Sequence, residues 1–108
     1  MPSIFTQIIN KNIKSDIVSE NENYIAFMDI MPVNKGHVLI VPKLEVDDIF
    51  DLSPEIYQGL FNFARKVSIA IKKVIPCERV WMAVVGFEVP HAHIHLIPIN
   101  NMNDMSFE

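Results

Sequence analysis

A chain of 108 residues with one cysteine, Cys77, has no internal disulfide and no cysteine cluster for a structural zinc, and it fits a reducing compartment. Basic residues are also scarce: nine Lys and Arg against thirteen Asp and Glu leave a net charge of -4. That balance offers no footprint for a phosphate backbone and disfavours a dedicated DNA or RNA binder. No apolar run is long enough to span a bilayer, and Met1–Gln7 has no basic segment followed by an apolar core, so neither an anchor nor a secretory signal is expected. Repeats, linkers and low-complexity segments are missing too. The apolar content, 50% of residues, suffices for one modest core. The expectation is a single domain over residues 1–108, soluble and cytoplasmic, without nucleic-acid or membrane partners.

The most distinctive stretch is His91-Ala92-His93-Ile94-His95-Leu96-Ile97-Pro98, with three of the four histidines at alternate positions. Alternation is the period of a strand with two different faces, one apolar and one imidazole. Alternate side chains on one face lie roughly 6.6 Å apart, so the spacing predicts a row of three rings able to share a substrate, a proton or a metal. A buried histidine is costly unless each ring nitrogen finds a partner, which argues against a row placed there for packing alone.

Elsewhere the pattern alternates strands with one long helix. Ser3–Ile9 is short and apolar-biased, Asn10-Lys11-Asn12 reads as a turn, and Ile17–Glu20 begins an edge strand. Tyr24–Asp29 is rich in strand formers and is stopped by Met31-Pro32. Asp29 ends this strand, either as a functional carboxylate or as a terminator bonding nearby amides. Turn chemistry at Val33–Gly36 precedes His37–Pro42, a nearly continuous apolar run expected to be a central strand. Ser53-Pro54-Glu55 starts a helix whose apolar residues recur at Ile56, Leu60, Phe63/Ala64, Val67, Ile71 and Val74, with Lys72-Lys73 before the stop at Pro76. Arg79–Val85 is a third strand, turning at Gly86 toward the histidines as a hairpin. These elements predict an α+β fold, an antiparallel sheet with one long helix packed on it. On spacing alone, His-x-His plus His37 also suits a zinc site.

The histidine segment, with Gly86 and Val89 ahead of it, resembles the signature of the histidine triad (HIT) nucleotide-binding proteins. So do Phe27-Met28-Asp29-Ile30-Met31-Pro32, Lys35-Gly36-His37 and Leu39-Ile40-Val41-Pro42-Lys43, and the likeness runs from about Ser3 to Pro98. The resemblance implies a dimer with a continuous sheet and a purine nucleotide, AMP-like, as ligand. It makes His93 the nucleophile toward the α-phosphorus, His95 the donor to phosphate and leaving group, and His91 and His37 the residues that orient the row. Asp29 would take the ribose hydroxyls, Phe27 and Ile30 would wall the base, and Gly86 and Glu88 would lie near the phosphate. No metal or other cofactor is required. Ser3 and Thr6 stand where many bacterial relatives have zinc-binding cysteines, so that structural zinc is not expected here. Phe87 replaces the family's glutamine, which leaves the leaving-group contacts open. Ala92 departs from the proline of the uridylyltransferase branch. The implied activity is hydrolysis of adenosine 5'-phosphoramidates through a nucleotidyl-histidine. A dinucleoside polyphosphate hydrolase, a histidine-ligated zinc protein and a nucleotide-binding module remain alternatives.

Overall fold

In a computed structural model describing residues 2–106, the chain folds as α1 (Ile4–Ile9), β1 (Ile17–Glu20), β2 (Tyr24–Met28), β3 (Val38–Pro42), α2 (Pro54–Val74), β4 (Arg79–Ala83) and β5 (Ile94–Ile99). Met1, Phe107 and Glu108, at the ends of the expected 1–108 span, lie outside the described residues. The strands form one antiparallel sheet in the order β1-β2-β3-β5-β4. This is the expected α+β arrangement, and its order places the histidine strand between the His37 strand and β4. Leu39 pairs with His95, so the two histidine-bearing segments lie side by side.

β2 and β3 read as apolar runs because both faces of the sheet are covered. On one face α2 lays Leu60, Phe63, Ala64, Val67 and Ile71 against Ala26, Ile40, Ile94 and Leu96. Val74, expected in the same stripe, is exposed in the last turn. The helix starts as its sequence dictates: Ser53 Oγ accepts the Ile56 N–H, Pro54 occupies the first turn, and Lys72 and Lys73 sit near the negative C-terminal end. Gly59 lets the helix approach β2 closely. A methyl there would overlap the Tyr24 hydroxyl, which donates to the Ile56 carbonyl at 3.0 Å.

The opposite face carries an element the sequence pattern did not disclose. Ser3–Ile9, expected only as an apolar-biased stretch, contains α1, with Ser3 Oγ accepting the Thr6 N–H at 3.0 Å as its cap. Phe5 and Ile8 cover Ile25, Phe27, Leu39 and Val41 from this side. Phe5 meets Phe27 edge-on, 5.5 Å between centroids. The histidine strand is also shorter than expected, starting at Ile94. Pro90 lacks a donor, the His91 N–H goes to the Val89 carbonyl and the Ala92 N–H to the Val46 carbonyl, so His91–His93 lies outside the ladder. Among the described residues no helix is long and apolar enough to cross a membrane.

Candidate active site

The alternation of the histidine segment survives this shortening. Ala92, Ile94 and Leu96 enter the core under α2. The imidazoles go to the α1 side, where Phe5 meets His93 edge-on at 4.9 Å and His91 at 5.8 Å. The expected row of His91, His93 and His95 is nevertheless corrected. His93 and His95 are neighbours at 4.9 Å between centroids, and the next ring is His37, 5.2 Å from His95. His91 turns instead toward Ser3 and Pro42. His37 is only 1% exposed, which excludes a strand-end residue half in solvent. Gly36 delivers it: φ is +88°, and a methyl there would crowd Ile75 at 3.0 Å and Pro98 at 3.1 Å.

Fixed donors and acceptors around the rings determine where each proton sits. Val33 N–H donates to His37 Nδ1 at 3.0 Å, so the proton of neutral His37 is on Nε2. That Nε2–H lies 3.0 Å from His95 Nδ1, which must accept, leaving His95 its proton on Nε2. His93 Nδ1 is 2.7 Å from the His91 carbonyl, an obligate acceptor, so His93 Nδ1 bears the proton and Nε2 keeps its lone pair. His91 Nε2 donates to the Pro42 carbonyl at 2.8 Å, leaving Nδ1 as an acceptor facing Ser3 Oγ at 2.7 Å. The site thus presents one nucleophilic nitrogen, on His93, beside one donor nitrogen, on His95.

Burial keeps these rings neutral. It pushes all four histidines below the ordinary imidazole value of 6.5 as the leading cause. His95 goes furthest, to about 4, because His93 and His37 add to the desolvation. Asp29 opposes the shift at His37, His93 and His95, and Glu88 opposes it weakly at His93.

Asp29 terminates its strand, Oδ1 accepting the Met31 N–H at 2.9 Å, while Oδ2 faces His37 Nε2 at 3.4 Å. With Met28 and Ile30 it lines a cavity of about 430 Å³ whose lining also includes Ile8, Ile13 and Ile17 and the charged Lys11, Lys14 and Asp16. Phe27 does not line that cavity; it is packed under Phe5. A second cavity, about 340 Å³, is lined by His93 together with Asp47, Asp48, Phe50, Val84, Val85 and Gly86. Gly86 has φ +80°. Phe87 and Glu88 beyond it are exposed.

Among the described residues, Asp29, His37 and His95 form a group whose ligand atoms lie within 4.8 Å of one another, close enough to hold a metal. Its chemistry fits a metal poorly. A metal-bound histidine gives its other ring proton to an acceptor, yet His37 Nδ1 faces the Val33 N–H, a donor. Nε2 therefore carries the proton and has no lone pair to offer. Sequence reasoning also missed Glu45, whose Oε1 takes the Ser3 N–H at 2.8 Å and the Thr6 hydroxyl at 2.5 Å. No local pattern could show a contact across 42 residues.

The HIT domain family matches residues 10–102 of this chain. An uncharacterized HIT-like protein of Methanocaldococcus jannaschii is 38% identical over 102 residues, 88% of this chain and 77% of its own. The bis(5'-nucleosyl)-tetraphosphatase (asymmetrical) of Schizosaccharomyces pombe is 36% identical over 78 residues, 68% of this chain and 43% of that protein. Among solved structures, a HIT family protein from Bacillus anthracis superposes with a TM-score of 0.87 at 39% identity, covering 94% of this chain and 75% of that one.

Proposed function

Because this chain belongs to the HIT family, we propose that it is a hydrolase acting at the α-phosphate of adenosine-type 5'-phosphate derivatives, phosphoramidates in particular, through a nucleotidyl group held on His93. The observation that carries this reading is the His93 tautomer: Nδ1–H is tied to the His91 carbonyl at 2.7 Å and Nε2 keeps its lone pair. In the first step His93 Nε2 forms a bond to phosphorus as the phosphorus–nitrogen bond to the leaving amine breaks. The amine departs with a proton delivered through His95, whose proton affinity the bound phosphate anion raises. Water then attacks the same phosphorus, the bond to His93 breaks, AMP leaves, and the water's proton returns to His95. Nε2–H of His95 also stabilises charge on the phosphoryl oxygens. The cavity of about 430 Å³ takes the nucleoside, with Asp29 on the ribose hydroxyls and Ile30 beside the base.

The acid-lined cavity beside His93 supports an amine over a polyphosphate as leaving group, since Asp47 and Asp48 would repel further phosphates and favour a cation. The second reading, hydrolysis of dinucleoside polyphosphates, is favoured by the fission-yeast relative. Pairing of two copies belongs to the same proposal: β4 is an open sheet edge bearing exposed Met82, followed by exposed Val84 and Val85. A mass near twice 12.4 kDa by light scattering is expected, and a mass of one chain sinks the dimer.

The decisive experiment is an early quench of chelator-treated protein with adenosine 5'-phosphoramidate, followed by peptide mass spectrometry. An AMP adduct on the His93 peptide, chased by water, is the expected result. Turnover that returns only with added zinc would instead make the histidines metal ligands.

A further inference from the structure

We infer that α1 is part of the catalytic scaffold, with Ser3 as a positioning residue: its hydroxyl, backed by Thr6 and Glu45, holds the lone-pair nitrogen of His91, keeps that ring neutral and in place, and thereby aims the His93 lone pair. This rests on the reading of His93 as the nucleophile. Ser3 is buried, and its Oγ lies 2.7 Å from His91 Nδ1, a contact across 88 residues of sequence.

The direction of the bond follows from its surroundings. The Pro42 carbonyl can only accept, so it fixes the His91 proton on Nε2 and makes Nδ1 an acceptor. Ser3 must then donate. Its oxygen is free to do so because the Thr6 N–H comes to it as a donor at 3.0 Å, and the Thr6 hydroxyl gives its own proton to Glu45 Oε1. The bonds from Thr6 and Ser3 hold the Glu45 carboxyl below its usual range, which keeps it a charged acceptor. Every donor in the cluster thus has a separate destination, running from carboxylate to hydroxyls to imidazole to carbonyl. The ring so held belongs to the residue whose backbone carbonyl accepts the His93 Nδ1–H. Freezing the His91 ring freezes that carbonyl, and the carbonyl sets the plane of His93. Phe5, two residues beyond Ser3, packs edge-on against His93 at 4.9 Å and completes the clamp.

Without the hydroxyl, the buried His91 Nδ1 keeps only the Thr6 hydroxyl, 3.4 Å away and already donating to Glu45, while Glu45, 4.0 Å away, draws a proton onto it. A cation two residues from the nucleophile and a loosened carbonyl both weaken attack. Partners that orient a metal-ligating histidine in this way typically change activity by about 10- to 100-fold, and the lower end of that range is expected for a histidine that orients a nucleophile. The groups bearing charge or proton toward His91 are Glu45 and His93.

The test compares Ser3→Gly with Ser3→Thr in the full chain. Glycine is nearly as good a helix cap as serine, so it removes the donor at little cost to α1, whereas threonine keeps the hydroxyl. Ser3→Gly is expected to lower kcat about tenfold with KM within about twofold, and to move the His91 ring nitrogens away from the Nε2–H pattern in nitrogen-15 spectra. Ser3→Thr is expected to restore both. An unchanged kcat in Ser3→Gly overturns the inference, as does a loss that tracks melting temperature equally in both variants. If Ser3→Gly does not fold, Thr6→Val, which leaves the cap in place, is expected to shift the same spectra, and unshifted spectra are equally fatal. Single-turnover labelling separates the two levels of the argument: no adduct on His93 in the unmodified protein removes the parent reading, while an adduct formed equally fast in Ser3→Gly removes only the role of Ser3.

Discussion

The two faces of the sheet are built by different physics from the same strands. Under α2, Ala92, Ile94 and Leu96 meet Ala26, Ile40, Leu60 and Val67, and nothing there needs a partner of a particular kind. Under α1, the histidines are equally buried but every ring is held by a named donor or acceptor: Val33 and His95 for His37, Pro42 and Ser3 for His91, the His91 carbonyl for His93. The first face tolerates exchange of one apolar residue for another and the second does not. One segment, His91–Ile99, serves both because alternate side chains go to opposite sides. Stability and chemistry are therefore separable here, residue by residue.

The largest effect separating the faces is expected at His93. His93→Ala should lower turnover by at least about 10³-fold, the scale for loss of a nucleophile, while AMP still binds. Retained hydrolysis of the phosphoramidate by that variant would take the nucleophile's role away from His93. Leu96→Ala on the other face should do the reverse, costing about 2–5 kcal/mol of stability in denaturant titrations while kcat per folded molecule stays within about threefold. A kcat loss in Leu96→Ala as deep as in His93→Ala would mean that the faces are not separable.

The contrast also explains what the sequence discloses. The α2 face is legible because its information is local: Leu60, Phe63, Ala64, Val67 and Ile71 recur at helical spacing and Ser53-Pro54 marks the start. The imidazole face is legible only in its composition. Alternation shows that the histidines share a side, but the departure of His91–His93 from the ladder depends on Val46, and the row depends on His37 reaching His95 across 58 residues. α1 escapes notice because six residues, Ile4–Ile9, with no acid in the first turn and no base in the last, carry too little periodicity to be told from a strand. The cover that Phe5 of α1 places over Phe27 is likewise invisible in the pattern of either segment. Apart from α1, what the sequence does not disclose is contact between segments far apart along the chain, as the site itself is.

Acid separates the faces by a smaller amount. A histidine depressed below its ordinary value is neutral when folded and titrates near 6.5 when unfolded, so below that value the unfolded chain binds more protons. Stability from the imidazole face is thus complete above about 6.5 and declines as pH falls toward the folded value, about 4 for His95. At pH 5 His95 alone would account for on the order of 2 kcal/mol, as an upper bound. Thermal melts from pH 7.5 to 4.5 should show the fall, and the acid limb of kcat/KM should lie below 6.5. A flat melting temperature between pH 7 and 5 would mean that these rings are protonated or solvated in the folded protein.

The smallest expected effect concerns the rim rather than either face. Asp47 and Asp48 bound the cavity next to His93 but are exposed, so each contributes only a screened charge. With adenosine phosphoramidates of matched size, a leaving amine bearing a second positive charge should therefore outrun one bearing a carboxylate by about tenfold in kcat/KM at low salt. Asp48 caps the turn at Ile49–Asp51 by accepting the Phe50 N–H at 2.9 Å, a task asparagine performs as well. Asp47→Asn combined with Asp48→Asn should hence keep the loop while bringing the ratio toward one, and added salt should do the same in the unmodified protein. A ratio near one from the start, or one that persists in the double variant, would place the leaving group away from these carboxylates and return the polyphosphate reading to equal standing. Because the comparison is a ratio between substrates attacked by the same His93, any shared loss of catalytic power cancels, and only the charge at the rim is measured.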